Sequence, residues 1–198
     1  MSRLIVIEGI DGSGKDTVAK KLVEKVNGNY FFTPPEGYKM IRGYINNKAS
    51  PEARFLYYLS SVIDVSSKIN KSPSKNDPVC VRYVWSTMVY YSVMENKSLY
   101  SVSAMVKPFI PYIVQPDINV LLTVSEEEQI RRLKFRNGTE HTISDLLSIE
   151  DDNFRKRINE AYQNIAKESS WVKIDTTNKS IDEIVDKIIK KYKFGGQK

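Results

Sequence analysis

Residues 4–26 constrain this chain more than any other stretch. Leu4, Ile5, Val6 and Ile7 form an apolar run of strand length, Glu8 and a glycine-rich segment follow, and Val18, Leu22, Val23 and Val26 then recur on one face of a helix. A buried strand that passes through glycines directly into an amphipathic helix is the opening unit of a parallel α/β sheet. The segment between them, Gly9, Ile10, Asp11, Gly12, Ser13, Gly14, Lys15, Asp16 and Thr17, contains Gly-x-x-x-x-Gly-Lys. That pattern alone arises by chance in roughly one chain of this length in twenty. Its position gives it meaning, because there backbone N–H groups and a helix N-terminus point at phosphates. The segment is therefore expected to bind a nucleotide polyphosphate, with Gly9, Gly12 and Gly14 letting the backbone wrap the phosphates and Lys15 placing a charge between the β- and γ-groups. The residue after the lysine is ordinarily a Ser or Thr whose hydroxyl ligates Mg²⁺, and here it is Asp16.

Strand-length and helical patterns alternate through the remainder. Residues 30–32 read as a second short strand, followed by a Pro34-Pro35 turn and a helical pattern over about 37–47. Residues 51–69 predict a long helix with Pro51 at its start and a wide apolar face. A Ser/Lys-rich loop at 70–77 precedes a strand within "PVCVRY", and two further strands fall at 118–124 and 171–174. Each of the last two leads into a helix with a capping-box pattern, Ser125 with Glu128 and Ser180 with Glu183. The expectation is a three-layer α/β sandwich: one domain over 1–198 with a parallel five-stranded sheet and helices on both faces, its ligands at the carboxyl ends of the strands.

The apolar run at 4–7 is far shorter than a signal core or a membrane span, so no membrane partner is expected. The single Cys80 excludes an internal disulfide and reads as a buried small hydrophobe, which fits a cytoplasmic protein. The net charge of +6 comes from dispersed basic residues without a recognition motif, and suits an enzyme of polyanionic phosphates better than a nucleic-acid binder. His141, the only histidine, sits in a polar stretch where no triad or metal cluster assembles around it.

Several ordered segments together resemble the thymidylate kinase family of P-loop nucleoside monophosphate kinases. They are "IVIEGIDGSGK" at the start, "VCVRYVWSTMVYY" at 79–91, "PDINVLLTVSEEEQIRRLKFR" at 116–136 and "VKIDTTNKSIDEIVDKI" near the C-terminus. The resemblance implies transfer of the γ-phosphoryl of Mg-ATP to a nucleoside monophosphate, ordinarily dTMP, with Mg²⁺ as the metal and a homodimer formed through the long apolar helix. It places Asp11 near the acceptor sugar and phosphate, Arg82 between donor and acceptor phosphates, and Arg131, Arg132 and Arg136 in a lid over about 131–148. Tyr58 is placed to stack on the base, and Tyr91 stands where the family has a base-reading amide.

The chain departs from the family pattern at four places. Besides Asp16, Val81 replaces the carboxylate of the Asp-Arg pair at the end of the third strand. The two departures are read together: Asp16 either takes over as the Mg²⁺ carboxylate or merely favours the helix N-terminus, and the sequence leaves both open. The acceptor-phosphate arginine is missing from "TPPEGYK", leaving Lys39 or Arg42 to substitute, and Val62 stands where an arginine reads the thymine edge. Broader base selection than usual is expected, because lost polar contacts remove discrimination. A kinase for another deoxynucleoside monophosphate or for a nucleoside remains an alternative, as does a nucleotide-binding protein with little catalysis.

Overall fold

The computed structural model describes residues 2–73, 75–135 and 142–194. The chain runs β1 (Ile5–Gly9), α1 (Lys15–Val26), β2 (Asn29–Phe32), α2 (Lys39–Lys48), α3 (Pro51–Asn70), β3 (Pro78–Val81), α4 (Val84–Met94), α5 (Leu99–Val106), β4 (Ile118–Thr123), α6 (Glu126–Lys134), α7 (Ile143–Glu150), α8 (Asp152–Glu168), β5 (Val172–Asp175) and α9 (Ile181–Phe194). All five strands pair in parallel in the order β2-β3-β1-β4-β5. In register, Ile5 faces Val79 on one side and Ile118 on the other, so Gly9, Phe32, Val81 and Thr123 all end at the same edge of the sheet.

Side-chain alternation along the strands builds the layers. Ile5, Ile7, Val79, Val81, Val120, Leu122 and Ile174 pack with α1 and α9 on one face. Leu4, Val6 and Cys80 pack with α3, α4 and α5 on the other, where Leu121 and Trp171 meet α8. Every residue of β1 is buried, which is why its sequence reads as an unbroken apolar run up to Glu8.

The helix ends show which local signals were sufficient. Ser50 caps α3 by accepting the Ala53 N–H at 3.2 Å, with Pro51 in the first turn. The 180–183 capping box forms completely, Ser180 N–H donating to Glu183 at 2.8 Å and Glu183 N–H to Ser180 at 3.3 Å. The 125–128 box forms only by half: Ser125 accepts the Glu128 N–H, but the Glu128 carboxylate is taken by Arg131 and Arg132, and the Ser125 N–H turns to Thr177. The helical pattern from about 37 begins instead as a 3₁₀ turn over Glu36–Tyr38, and α2 starts at Lys39. Helices α5, α7 and α8 lie in stretches to which the sequence patterns above assign no element.

The wide apolar face of α3 does not lie open. Phe55, Tyr57, Leu59, Val62, Val65 and Ile69 are all buried within the chain, against β1, β3, α4 and the segment after α5.

Candidate active site

The carboxyl end of β1 turns through a loop that only glycine can build. Gly9 adopts φ +148°, and a Cβ there would lie 2.3 Å from the Leu122 carbonyl oxygen of the neighbouring strand. Gly14, the N-cap of α1, sits at φ +87° and offers no side chain to cap the helix, so the first-turn N–H groups stay available for an anion. The loop carbonyls are held from behind. Gln129 Nε2 donates to the Asp11 carbonyl at 2.9 Å, Thr176 Oγ1 to that of Ser13 at 3.2 Å and Arg132 Nη1 to that of Gly12 at 3.3 Å. Ser13 Oγ is buried without a hydrogen-bond partner.

Lys15 opens α1 with its side chain folded under the loop, Nζ donating to the Ile10 carbonyl at 2.7 Å. Burial is the first reason that its pKa falls to about 8, and the Arg82 guanidinium is the second; Asp11, Asp16 and Glu8 pull the other way. An ammonium so placed is favoured by further negative charge beside it.

Arg82 follows β3 in the left-handed region at φ +59°, its N–H tied to the Ile7 carbonyl at 3.0 Å. Its guanidinium pairs with Asp11, while the Tyr90 hydroxyl donates to Asp11 Oδ2 at 2.7 Å and the Tyr90 ring lies 5.2 Å beneath the guanidinium carbon. Two segments 71 residues apart thus meet at one ion pair. Glu8 lies underneath, accepting from the backbone N–H groups of Tyr83 and Ser86.

Asp11, Lys15, Arg82 and Tyr90 line a cleft of about 710 Å³, within the range of small-molecule sites. Gly12, Gly14, Lys15, Asp16, Thr17 and Arg132 contribute from the loop side. Arg42, Asn46, Arg54, Phe55 and Tyr58 contribute from α2 and α3, with Thr87, Tyr91 and Met94 from α4. Thr142, Ile143, Ser144 and Asp145, at the start of α7, form a further wall. Arg42 borders the cleft, and its Nε is buried without a hydrogen-bond partner within the chain. Arg54 is held by Glu95 at 3.0 Å, and the Phe55 and Tyr91 rings pack 4.6 Å apart.

A glycine loop, a buried lysine and a cleft arginine paired with a loop carboxylate specify a phosphate-handling site on a parallel sheet. The thymidylate kinase model matches residues 7–188 of the chain. A probable thymidylate kinase of Methanocaldococcus jannaschii is 32% identical over 192 residues, with 93% of each chain covered. The chain belongs to the thymidylate kinase family. It is thereby an ATP-dependent nucleoside monophosphate kinase with a P-loop NTPase fold. The thymidylate kinase of Mycoplasmopsis agalactiae is similar at 28% identity over 204 residues, covering 94% of this chain and 93% of that one. Among solved structures, thymidylate kinase from Candida albicans superposes with a TM-score of 0.76 at 21% identity, covering 98% of this chain and 92% of that one. The Ehrlichia chaffeensis enzyme gives 0.70 at 21%, covering 97% and 98%.

Set on this family frame, the residues singled out from the sequence divide into groups. Lys15, Asp11, Arg82, Arg42, Tyr58, Tyr91 and Arg132 all reach the cleft. Lys39 does not: its ammonium is held outward on Glu36 at 2.7 Å, so of the two candidates for the acceptor phosphate only Arg42 faces the site. Arg131 is likewise drawn away, exposed and bidentate on Glu128, and it does not line the cleft. Arg132, its neighbour, turns to the back of the P-loop, with Nη2 on the Thr176 carbonyl at 3.0 Å. Arg136 and His141 lie outside the described residues. Asp16 lines the cleft at the start of α1 and accepts a hydrogen bond from Tyr30 at 3.0 Å. Val81, in the strand-end position, is buried against α1 yet borders the same cleft. Val62 is fully buried in the core and does not line it.

The sequence reading missed Glu8, Tyr90, Arg54 and Gln129. Only Glu8 carried a signal: a carboxylate closing a run of wholly buried strand residues must have partners.

Among the described residues no group of three or more His, Cys, Asp or Glu could hold a metal, and no helix is long and apolar enough to cross a membrane. Mg²⁺ in a nucleotide site needs no such cage, since one carboxylate with substrate phosphates and water suffices. Asp16 and Thr17 supply hard oxygens of that kind on the cleft side of α1.

Proposed function

We propose that this cleft transfers the γ-phosphoryl of Mg-ATP to dTMP, giving dTDP. The observation that carries the reading is the convergence of the P-loop lysine, Arg82 and Asp11 with the unpartnered Arg42 in one cleft. ATP lies with its β- and γ-phosphates on the loop N–H groups and Lys15, while Arg132 braces the loop from behind through the Gly12 carbonyl. The acceptor phosphate takes Arg42, with Arg82 between the two phosphates and Asp11 fixing that guanidinium. Such a transfer needs little covalent help, because positioning and charge neutralisation lower most of its barrier. Asp16, steadied by Tyr30, would hold the Mg²⁺ that enters with ATP, and the chemistry the ion would supply is charge neutralisation. A lid over about 131–148, of which 136–141 lie outside the described residues, belongs to the same reading, within one kinase domain over 1–198.

Tyr58 and Tyr91 flank the base, and with Val62 buried in the core, base selection is broader than the family pattern implies. Arg54, anchored by Glu95, is a charged group on that wall, beside Asn46 and Thr87. The protein works in the cytoplasm as a homodimer. Because the apolar face of α3 is already covered, pairing uses what the fold leaves exposed nearby, Met40, Ile41 and Tyr44 of α2 with Leu56 of α3. A coupled ATP-consumption assay with dTMP and a panel of other monophosphates tests the activity, and no turnover of any monophosphate refutes it. Light scattering of the eluted protein tests the dimer.

A further inference from the structure

Glu8 is fully buried, and nothing in the transfer described above uses it. Strand alternation turns it to the face of Leu4 and Val6, against α4 and α8. Its Oε1 accepts the N–H of Tyr83 at 2.9 Å and that of Ser86 at 3.1 Å. Its Oε2 accepts from the Ser86 hydroxyl and lies 3.4 Å from the Tyr162 hydroxyl, which is itself 2.8 Å from Ser86 Oγ.

Tyr83 is the N-cap of α4, and its own side chain caps nothing. The orphan N–H groups at the start of that helix are therefore satisfied by a carboxylate on β1, 75 and 78 residues away in sequence. Two features make this more than a cap. Arg82 immediately precedes the capped residue, in a left-handed conformation that a non-glycine residue holds only when its surroundings enforce it, and its Nη1 reaches Ser86 Oγ at 3.4 Å. Glu8 also immediately precedes Gly9, the first residue of the P-loop.

We infer that Glu8 is a positioning residue for phosphoryl transfer: from β1 it holds the first turn of α4 and, above all, the Ser86 hydroxyl that Arg82 Nη1 reaches, and so fixes the Arg82 guanidinium relative to the P-loop. The donor-phosphate cradle and the arginine that bridges to the acceptor then form one rigid piece, joined through a single buried carboxylate. This rests on the proposed contact of Arg82 with the acceptor phosphate. A cap serving stability alone would lower the melting temperature and leave catalysis by the folded protein unchanged.

A double-mutant cycle on the full chain separates the two: wild type, Glu8→Gln, Arg82→Ala and the double variant, each titrated with dTMP at equilibrium, with kcat measured where turnover permits. Glutamine keeps the volume and one carbonyl oxygen for the N–H groups, but its amide nitrogen cannot accept from Ser86. Glu8→Gln is expected to lower kcat about tenfold or more, since small misplacements of reacting groups cost that much. The KM for ATP stays within about threefold, because the P-loop itself is intact. The dTMP affinity falls about fivefold in the wild-type background and less than about twofold when Arg82 is already alanine. An equal loss in both backgrounds, or wild-type kcat and affinity in Glu8→Gln, overturns the inference. Arg82→Ala with unaltered dTMP affinity and turnover would instead remove the reading of Arg82, and the inference with it. Should Glu8→Gln not fold, Ser86→Ala takes its place in the same cycle, with the same deciding outcomes. It deletes the hydroxyl between Glu8 and Arg82 while keeping the backbone cap.

Discussion

Asp11 and Arg82 form an ion pair inside the cleft, and the Tyr90 hydroxyl occupies the second Asp11 oxygen at 2.7 Å. Both partners are mostly shielded from solvent, so neither charge is easily left alone. Tyr90→Phe keeps the ring under the guanidinium and removes only the donor. It is expected to destabilise the fold by about 1.5–3 kcal/mol, the usual worth of a hydrogen bond to a charged group. Turnover should fall roughly tenfold, as Asp11 gains freedom to rotate away from Arg82. Asp11→Asn, which takes the charge itself, should cost more on both measures. Thermal melts and steady-state kinetics of the two variants check the order, and equal effects would argue against Tyr90 as the support of Asp11.

Lys15 is expected to make nucleotide binding depend on pH. Its pKa of about 8 in the folded protein lies below the ordinary lysine value of about 10.4, because the side chain is buried and faces Arg82. Between those two values the unfolded chain binds more protons than the folded one. The contribution of Lys15 to stability is therefore present above the upper value and is lost as pH falls toward 8. ATP reverses the preference, since its phosphates favour the ammonium. Above pH 8 binding should draw a proton from solution, and ATP affinity should fall by up to about tenfold per pH unit. Calorimetric titration with ATP at pH 8.5 in two buffers of different ionisation enthalpy measures that proton, and buffer-independent heats would exclude it.

Asp16→Ala separates the two roles left open for this carboxylate. As a metal-holding group its loss should raise the Mg²⁺ concentration for half-maximal activity, and for ATP-dependent protection against melting, at least about tenfold. Tyr30→Phe, which removes the hydroxyl 3.0 Å from Asp16, should shift both in the same direction by less. An unchanged Mg²⁺ titration in Asp16→Ala leaves only the interaction with the α1 N-terminus, worth about 0.3–1 kcal/mol.

The legible part of this protein is whatever is written locally. The run of buried residues into Gly9 and the helix after Lys15 are consecutive in sequence, so the loop, its strand and its place at the sheet edge could be read directly. Choices between neighbouring basic residues could not. Adjacent helix positions point about 100° apart, so of Arg131 and Arg132 one meets solvent and the other the P-loop. Lys39 and Arg42 differ because the 3₁₀ turn ahead of α2 places Glu36 beside the lysine. Tyr90, Arg54 and the partners of Glu8 depend on contacts between elements 41 to 79 residues apart, for which no local pattern exists. The covered face of α3 belongs here too, since an apolar stripe looks the same whether its partner is the chain's own sheet or a second copy.

Base selection is where local departures and tertiary structure pull in different directions. Val62 is buried and Tyr91 has no amide, from which looser selection is proposed, yet Arg54 enters the cleft with Glu95 fixing it at 3.0 Å. A guanidinium donates and never accepts, so it suits a ring carbonyl and leaves an exocyclic amine facing unpaired donors. The expected order is dTMP first, dUMP about tenfold lower for one missing methyl, and dCMP lower by about a hundredfold or more. Arg54→Met should then compress the ratio of dTMP to dCMP in kcat/KM to less than about tenfold while leaving the KM for ATP alone. Activity confined to dTMP in the wild-type protein would sink the broader selection. A dTMP-to-dCMP ratio that survives in Arg54→Met would instead place the discrimination elsewhere on the aromatic wall of Phe55, Tyr58 and Tyr91.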